Sequence, residues 1–452
     1  MSSHASADTI YALSSAQGRA GVAVFRVSGS NAKFAIERIA GVTPKARIAT
    51  FAKLKNAAGE PIDEAVVLYF AGPASFTGED VAEFQVHGGR AVINALQETL
   101  SGYGCRLAEP GEFTRRAFEN GKLDLTQAEG IADIIDAETQ MQRVQALKQM
   151  GGALATITQN WREKLLRILA HLEADIDFPD EDLPPHIVQQ RIAQLTELNN
   201  EITAHLADNR RGERLRDGFS IAVLGAPNAG KSSLINALAQ RDAAIVSARA
   251  GTTRDIIEVH LDVAGYPIIL ADTAGLRDTT DEIEGEGIKR ALQRAIDADL
   301  NIVLFDAGTP PDTQSLTLLN DKSFAVINKT DIAGSIPFPL REGLGEGYKN
   351  VLHISAKTGT GIAELLNAIA ARLKDMLENQ VTAPLTRARH REALTHCQQH
   401  LKRALHAYHE GKAPELVGED IRLATRALAR ITGAVDVDDI LDIIFREFCI
   451  GK

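Results

Sequence analysis

Residues 220–225, Ser-Ile-Ala-Val-Leu-Gly, are a short apolar run that passes directly into Ala-Pro-Asn-Ala-Gly-Lys-Ser-Ser. The result is G-x-x-x-x-G-K-S at Gly225, Gly230, Lys231 and Ser232, and helix formers, Ser-Leu-Ile-Asn-Ala-Leu-Ala-Gln, follow it. This pattern constrains the fold more than any other in the chain. Two glycines let the backbone curl so that its N–H groups face one centre, and the next helix offers its positive N-terminus to the same point. Such a loop holds a phosphate chain at the carboxyl end of a parallel strand. Lys231 then bridges the β- and γ-phosphates, and Ser232 places its hydroxyl on Mg²⁺.

Three further segments follow in order, each at the end of an apolar run. The first is Asp272-Thr273-Ala274-Gly275, where Asp272 sits on the Mg²⁺ or one layer behind it and the Gly275 N–H meets the γ-phosphate. Asn328-Lys329-Thr330-Asp331 comes next. Its aspartate accepts two hydrogen bonds, from the guanine N1–H and exocyclic amine. Adenine has no matching donors and leaves a carboxylate unpaired, so the site selects GTP over ATP. Ser355-Ala356-Lys357 backs the base with a main-chain N–H. Residues 251–255, Gly-Thr-Thr-Arg-Asp, lie where a threonine reaches Mg²⁺ only while the γ-phosphate is present, which makes an order–disorder switch. These segments predict a GTP-hydrolysing domain over about residues 218–377.

One position departs from the usual pattern. Many small GTPases place glutamine directly after the Asp-Thr-Ala-Gly segment to orient the attacking water; here Leu276 stands there, and leucine cannot hold a water. The acidic run 278–286 is close by, and by composition it reads as a solvated charge run.

The flanks set the organisation. Residues 1–121 read as mixed α/β, with strands expected at 21–27, 65–70 and 81–86 and a helix at 91–100. Residues 122–216 turn Ala-, Leu-, Gln- and Glu-rich. Leu165, Leu169 and Leu172 recur at helical spacing, residues 178–185 break the pattern, and a second helix is expected from 186 to 209. Residues 379–452 are helical again, with breaks expected at 411–418 and at Gly433. Between the two helical stretches, in 217–378, short apolar runs alternate with helical segments, which predicts a largely parallel sheet with helices on both faces. The fold class is thus multidomain α/β plus all-α: an N-terminal α/β domain, a split helical domain and an inserted P-loop (Ras-like) domain.

Composition narrows the setting. The net charge of −11 argues against a generally basic nucleic-acid coat, although a local basic face remains compatible with it. Cys105, Cys397 and Cys449 are too dispersed for a zinc or disulfide framework and suit a reducing compartment. No basic-then-apolar leader opens the chain, and no run approaches the ~18 apolar residues a membrane span needs. A cytoplasmic protein without membrane association is expected.

The nucleotide segments, 225–238, 250–255 and 272–277 followed by 281–288, resemble those of translation-factor-related GTPases with an apolar residue in the glutamine position. Residues 76–89 (FTGEDVAEFQVHGG), 110–118 (PGEFTRRAF), 120–137 (NGKLDLTQAEGIADIIDA) and 448–452 (FCIGK) narrow this to a resemblance to the MnmE (TrmE) tRNA-modification GTPase family over essentially the whole chain. The resemblance implies a homodimer whose N-terminal domain binds a tetrahydrofolate derivative, in a 5-formyl or methylene form. It also implies a flavin-dependent MnmG-like partner in a heterotetramer, which adds a carboxymethylaminomethyl or aminomethyl group at C5 of the wobble uridine of certain tRNAs. Carried over by position, the guanine-nucleotide contacts are Asn228, Ala229, Gly230, Lys231, Ser232, Ser233, Ser247, Ala248, Arg249, Ala250, Gly251, Thr252, Thr253, Asp272 to Gly275, Asn328 to Asp331 and Ser355 to Lys357. Ser232 and Thr253 match the Mg²⁺ ligands; Asn228, Ser247, Arg249 and Thr252 match a K⁺ shell. Glu284 matches the glutamate that positions the attacking water, which for this residue replaces the solvated-charge reading, and Lys231 joins it as the second catalytic group. Arg26, Glu83, Lys122 and Lys452 match the folate contacts. Cys449 matches the family's cysteine near that site and reads equally well as a packed apolar residue beside Phe448. Three rivals stand against this reading: a ribosome-assembly GTPase, which would carry an RNA-binding appendage, a non-enzymatic GTP-binding scaffold, and a folate transferase for which GTP is only regulatory.

Overall fold

The structure is a computed structural model, and it describes residues 8–177, 185–241, 258–271, 293, 295–332, 351–377, 383–435, 438–446, 448 and 450–451. The chain forms two compact units, one of Met1–Ala132, Gln149–Asn199 and Ala393–Lys452, the other of Asp133–Lys148 and Asn200–Glu392.

The first unit begins with a six-stranded sheet: β1 (Thr9–Leu13), β2 (Ala23–Ser28), β3 (Thr50–Lys55), β4 (Pro61–Phe70), β5 (Val81–Val86) and β6 (Cys105–Leu107), in the order β3-β4-β5-β2-β1-β6. All pairs are antiparallel except β1 with β6. Burial alternates along β2 and β4, as a sheet with one packed face requires. That face, with Phe25, Val27, Leu54, Val67 and Phe84, packs with α1 (Ala32–Ala40) and α2 (Arg90–Gly102). The strands expected at 21–27, 65–70 and 81–86 are β2, β4 and β5. β1, β3 and β6 went unread because they are short and, in β3, half of the residues are exposed.

The chain continues through α3 (Glu112–Glu119), α4 (Leu125–Asp136), α5 (Gln140–Met150), α6 (Ala153–Asp177) and α7 (Pro185–Leu206). Leu165 and Leu169 are buried on α6, as their spacing predicts.

The second unit carries the other six-stranded sheet. A short helix, α8 (Arg211–Asp217), leads into β7 (Phe219–Gly225), which is followed by α9 (Lys231–Ala239), β8 (Glu258–Val263), β9 (Tyr266–Ala271), β10 (Leu300–Asp306), α10 (Thr313–Thr317), β11 (Ser323–Asn328), β12 (Leu352–His353) and α11 (Ile362–Leu377). The order is β12-β11-β10-β7-β9-β8, parallel except for β8. Phe219, Ile221 and Val223 of β7 enter one apolar cluster, and Ala222 and Leu224 enter another. Both faces of the strand are therefore covered, which is why its sequence is continuously apolar. β8 was not anticipated. It joins β9 through Ala264 and Gly265, both at positive φ, and such a two-residue turn makes an antiparallel hairpin.

Three helices return to the first unit or lead into it: α12 (Ala388–His409), α13 (Pro414–Thr432) and α14 (Asp438–Arg446). The break expected over 411–418 is shorter than its glycines suggest. Pro414 occupies the first turn of α13, where its missing N–H costs nothing, and Gly418 lies inside the helix. A Cβ on Gly418 would stand 3.4 Å from Leu172 Cδ2, in contact with α6, so this position packs against that helix. Gly433, with φ of 81°, ends α13 in the left-handed conformation, as expected. Among the described residues no helix is long and apolar enough to cross a membrane.

The Gly418 contact yields two opposite outcomes. Gly418→Ala meets Leu172 at ordinary contact distance and gains helix propensity, up to about 1 kcal/mol. Gly418→Val overpacks the α6–α13 seam and costs about 1–3 kcal/mol. Chemical denaturation of the two variants, followed by the fluorescence of Trp161 on buried α6, measures both; equal stabilities would place the seam elsewhere.

Candidate functional site

The loop after β7 is shaped by three residues at positive φ: Gly225 at 136°, Asn228 at 66° and Gly230 at 97°. A side chain at Gly225 would meet the Leu304 carbonyl oxygen of neighbouring β10 at 2.3 Å; one at Gly230 would meet Asn328 Nδ2 at 2.2 Å. Both positions demand glycine, by contact as well as by torsion. Gly230 then opens α9, whose first residues are Lys231, Ser232 and Ser233. The Lys231 ammonium donates to the carbonyls of Gly225 and Ala226, at 2.8 and 2.9 Å, and so lies across the mouth of the loop. Asn228, Ser232 and Ser233 are exposed there, while Ala229 is buried beneath.

Asn328, at the end of β11, is 2% exposed and spans two loops. Its Nδ2 donates to the Ala229 carbonyl at 2.9 Å, and its Oδ1 accepts the Ala356 N–H at 3.0 Å. Lys329, at φ of 67°, sends its ammonium to Asp306 at 2.6 Å. Burial alone would raise the Asp306 pKa, but the Lys329 ammonium and the Gly308 N–H hold it below the ordinary carboxylate range. The Thr330 hydroxyl donates to the Ile354 carbonyl. The Asp331 carboxylate accepts the Ser355 hydroxyl at 2.7 Å, and this bond holds its pKa below the usual range against a small opposing effect of desolvation. Ser355 is itself buried, and a tight turn follows in which Gly359 donates back to the Ser355 carbonyl. Asp331 is thereby presented to solvent as a fixed, ionised acceptor. Residues 228–233, 328–331 and 355–357 thus meet at the carboxyl ends of β7, β11 and β12. Ser247 to Thr253, Asp272 to Gly275 and Glu284 lie outside the described residues.

A second constellation stands on the N-terminal sheet. Arg26 of β2 and Glu83 of β5 are register partners, and the guanidinium donates Nε and Nη2 to one carboxylate oxygen, both at 3.0 Å. Arg26 also lies 5.6 Å from the Phe76 ring and 5.9 Å from that of Phe113. The 76–80 loop bends at Gly78, whose missing Cβ would stand 3.1 Å from Lys122 Cε. One loop therefore touches Arg26 through Phe76 and Lys122 through Gly78.

Sequence reading missed what holds that loop. Arg116, 3% exposed, donates to Glu79, Glu112 and Asp8, and Ser28 donates to Glu79 at 2.7 Å. The Asn120 amide closes the loop from the other side, donating to the Thr77 carbonyl. Glu79 and Arg116 were visible only as charges within quoted motifs, and their burial was not. At the chain's other end, Gly451 accepts the Ser14 hydroxyl at 3.0 Å and Ile450 bridges to Pro110, so the tail lies along the N-terminal domain. Cys449 and Lys452 fall outside the described residues.

Comparison with known proteins decides the family. A sequence profile described as the MnmE helical domain matches residues 125–449, and one described as the GTP-binding protein TrmE N-terminus matches residues 9–122. A protein of Paramagnetospirillum magneticum named tRNA modification GTPase MnmE is 51% identical over 98% of this chain and 100% of its own length. This chain belongs to the MnmE family. A second member, from Parvibaculum lavamentivorans, is also 51% identical over the same shares of both chains. Among solved structures, the G domain of the T. maritima FeoB iron transporter aligns with 34% of this chain and 97% of its own, at 30% identity and a TM-score of 0.26.

The MnmE helical profile brackets the whole sheet from β7 to β12, so the strands that carry the loop glycines lie inside a helical match in sequence. Within that sheet the joint between the two loops is testable. Asn328→Ala strips the Ala229 carbonyl and the Ala356 N–H of a buried partner, which costs about 1–3 kcal/mol in the second unit. Thermal or urea unfolding checks it; an unchanged midpoint would mean that the amide is replaceable by water.

Proposed function

We propose that this chain hydrolyses GTP to GDP and phosphate at the β7–β11–β12 loops. With a flavin-dependent MnmG-like partner, it then adds a carboxymethylaminomethyl or aminomethyl group at C5 of the wobble uridine of certain tRNAs. The observation that carries the reading is the Asp331–Ser355 pair, held by Asn328 against the P-loop. An ionised carboxylate pinned by a neutral hydroxyl suits the paired N–H donors of guanine and leaves adenine without a match. Membership of the MnmE family supplies the tRNA side of the proposal.

In this reading Lys231 swings from the Gly225 and Ala226 carbonyls onto the β- and γ-phosphates. The first turn of α9 offers its N–H groups to the same anion. Ser232 and Thr253 would hold Mg²⁺, and Asn228, Ser247, Arg249 and Thr252 would hold K⁺. The donor set fits as far as it is described: Ser232 and Asn228 are hard oxygen donors, both exposed at the loop mouth. When bound, the two cations offset the negative charge that develops on the transferring phosphoryl group. Glu284 would orient the attacking water in place of the glutamine that Leu276 replaces. Arg26, Glu83, Lys122 and Lys452 would receive a tetrahydrofolate derivative, the arginine–carboxylate pair facing a pterin amide edge and the lysines a glutamate tail. The protein would act as a homodimer in the cytoplasm.

Glu284→Ala is expected to retain GTP binding and slow hydrolysis by about 10²-fold or more, in K⁺ buffer. Phosphate release and nucleotide titration on the same preparation separate the two quantities. Lost affinity would mean that the residue is structural, and equal wild-type rates in K⁺ and Na⁺ would remove the K⁺ shell.

Deleting residues 449–452 is expected to abolish the wobble-uridine modification and weaken folate binding while GTP hydrolysis continues, since the tail lies along the N-terminal domain at Ser14 and Pro110. Mass spectrometry of tRNA from complemented cells reads the first outcome and phosphate release the last. Normal modified uridine would make the tail dispensable.

A further inference from the structure

At the end of β7 opposite the P-loop, α8 and α11 border a cleft of about 270 Å³ lined by Arg211, Arg214, Arg372, Asn209, Asp375 and the buried Phe219 with Met376. Its charge is set by helical spacing. Arg211 and Arg214 are three apart on α8, and Arg372 and Asp375 are three apart on α11, so each pair shares one helix face. Three guanidinium groups therefore converge in a chain whose net charge is −11.

Internal pairing leaves donors over. Arg214 gives Nε to Asp299 at 2.7 Å, and among the described residues its Nη groups have no polar partner. Arg372 gives Nη2 to the Asp321 carbonyl at 3.0 Å and makes no ion pair among the described residues. Arg211 is engaged within the protein as well as lining the cleft. Asp375, at the rim, pairs with none of them among the described residues. Like charges held together with unspent N–H forks are what an oxyanion of tetrahedral geometry uses, and arginine offers that fork where lysine offers a point charge.

We propose that this cleft holds a backbone phosphate of the tRNA, with Arg372 and Arg214 on the phosphate oxygens and Asp375 or Asn209 accepting the adjacent ribose 2′-hydroxyl. The assignment rests on the tRNA reading above and names the surface that reading lacks. The cleft is just below the ~300–1,000 Å³ of pockets that engulf a whole small ligand, so it suits one phosphate and its sugar. The rim carboxylate can accept from a ribose 2′-hydroxyl, a group that an acidic peptide or a free phosphate does not offer. Phe219 begins β7 and Gly225 ends it, so the cleft and the P-loop are about 20 Å apart and one does not compete for the other's phosphates.

The test is fluorescence anisotropy of labelled tRNA on the full-length protein across salt concentrations. Arg372→Gln should weaken binding by up to about tenfold and lower the slope of log affinity against log salt by about one, as for one lost phosphate contact. Arg372→Lys should recover part of the affinity. Lys374→Gln removes the same charge two residues away, on a different helix face, and should leave both quantities unchanged, as should all three variants for GTP hydrolysis. Equal losses from Lys374→Gln, or none from Arg372→Gln, would overturn the cleft assignment while wild-type tRNA binding stood. A second nucleotide equivalent per chain, lost in Arg372→Gln with tRNA affinity intact, would make the cleft a free-nucleotide site and overturn it too. Failure of the unaltered protein to bind tRNA would overturn both this proposal and the functional reading.

Discussion

A single buried amide joins the two loops on which the nucleotide-type site depends. Asn328 satisfies both ends of its side chain on main-chain atoms, the Ala229 carbonyl on one side and the Ala356 N–H on the other. The Ala229 carbonyl is buried and would bear a desolvation cost without the amide, while the Ala356 N–H is half-buried. The arrangement also explains Gly230. Any side chain there would occupy the space of the Asn328 amide nitrogen, so the glycine clears the path for the bond as well as turning the loop. The loop after β7 and the loops after β11 and β12 are thus tied together before any ligand arrives, and less ordering would remain to be done on binding.

The N-terminal domain solves a similar problem with charge. Its 76–80 loop carries few apolar anchors, and Arg116 compensates from below by binding Glu79, Glu112 and the Asp8 carbonyl and carboxylate together. Burying that guanidinium opposes its charge, but the Glu79 and Glu112 carboxylates more than restore the charged state, and its pKa is raised. Glu112 is held low by the same exchange: burial pushes it up, while Arg106 and Arg116 pull it down further. Removing Glu79 or Glu112 would leave the buried Arg116 guanidinium short of a partner, a larger loss than the pairing itself contributes. The network is thus the frame for the loop that touches Arg26, the partner of Glu83, and Lys122.

Legibility followed the range of the interaction. The glycine-rich loop, the Asn-Lys-Thr-Asp segment and the parallel strands before them are local, and each was readable because backbone torsion and burial on both faces leave marks within a few residues. Gly418 shows the limit. In sequence it resembles a helix stop, and only Leu172, some two hundred and forty residues away, turns it into a packing position. Arg116 shows another, since burial of a charge depends on partners from β5's preceding loop and from before β1, and no spacing rule connects them. β8 escaped because its alternation is short and its turn residue, Ala264, takes a positive φ that alanine seldom adopts.

The same unit also accounts for how an α/β sheet can sit inside a helical stretch of sequence. The segment entering the sheet, α8, and the segment leaving it, around Leu385 to Arg391, are fastened to each other. Gly212 lies so close to Leu385 that a Cβ would stand 2.4 Å from its carbonyl oxygen. Arg391 donates to both Asp208 and Glu213, and Arg216 and Arg387 share Asp133. Burial raises the Glu213 pKa, but Arg391 and Arg210 outweigh it and keep the carboxyl charged. With entry and exit held side by side, the inserted sheet closes a loop whose ends already meet. The host therefore bears little of the closure entropy that separated ends would impose, and that entropy grows only slowly with the length inserted. A glycine and three arginines supply the contacts that hold this stem together.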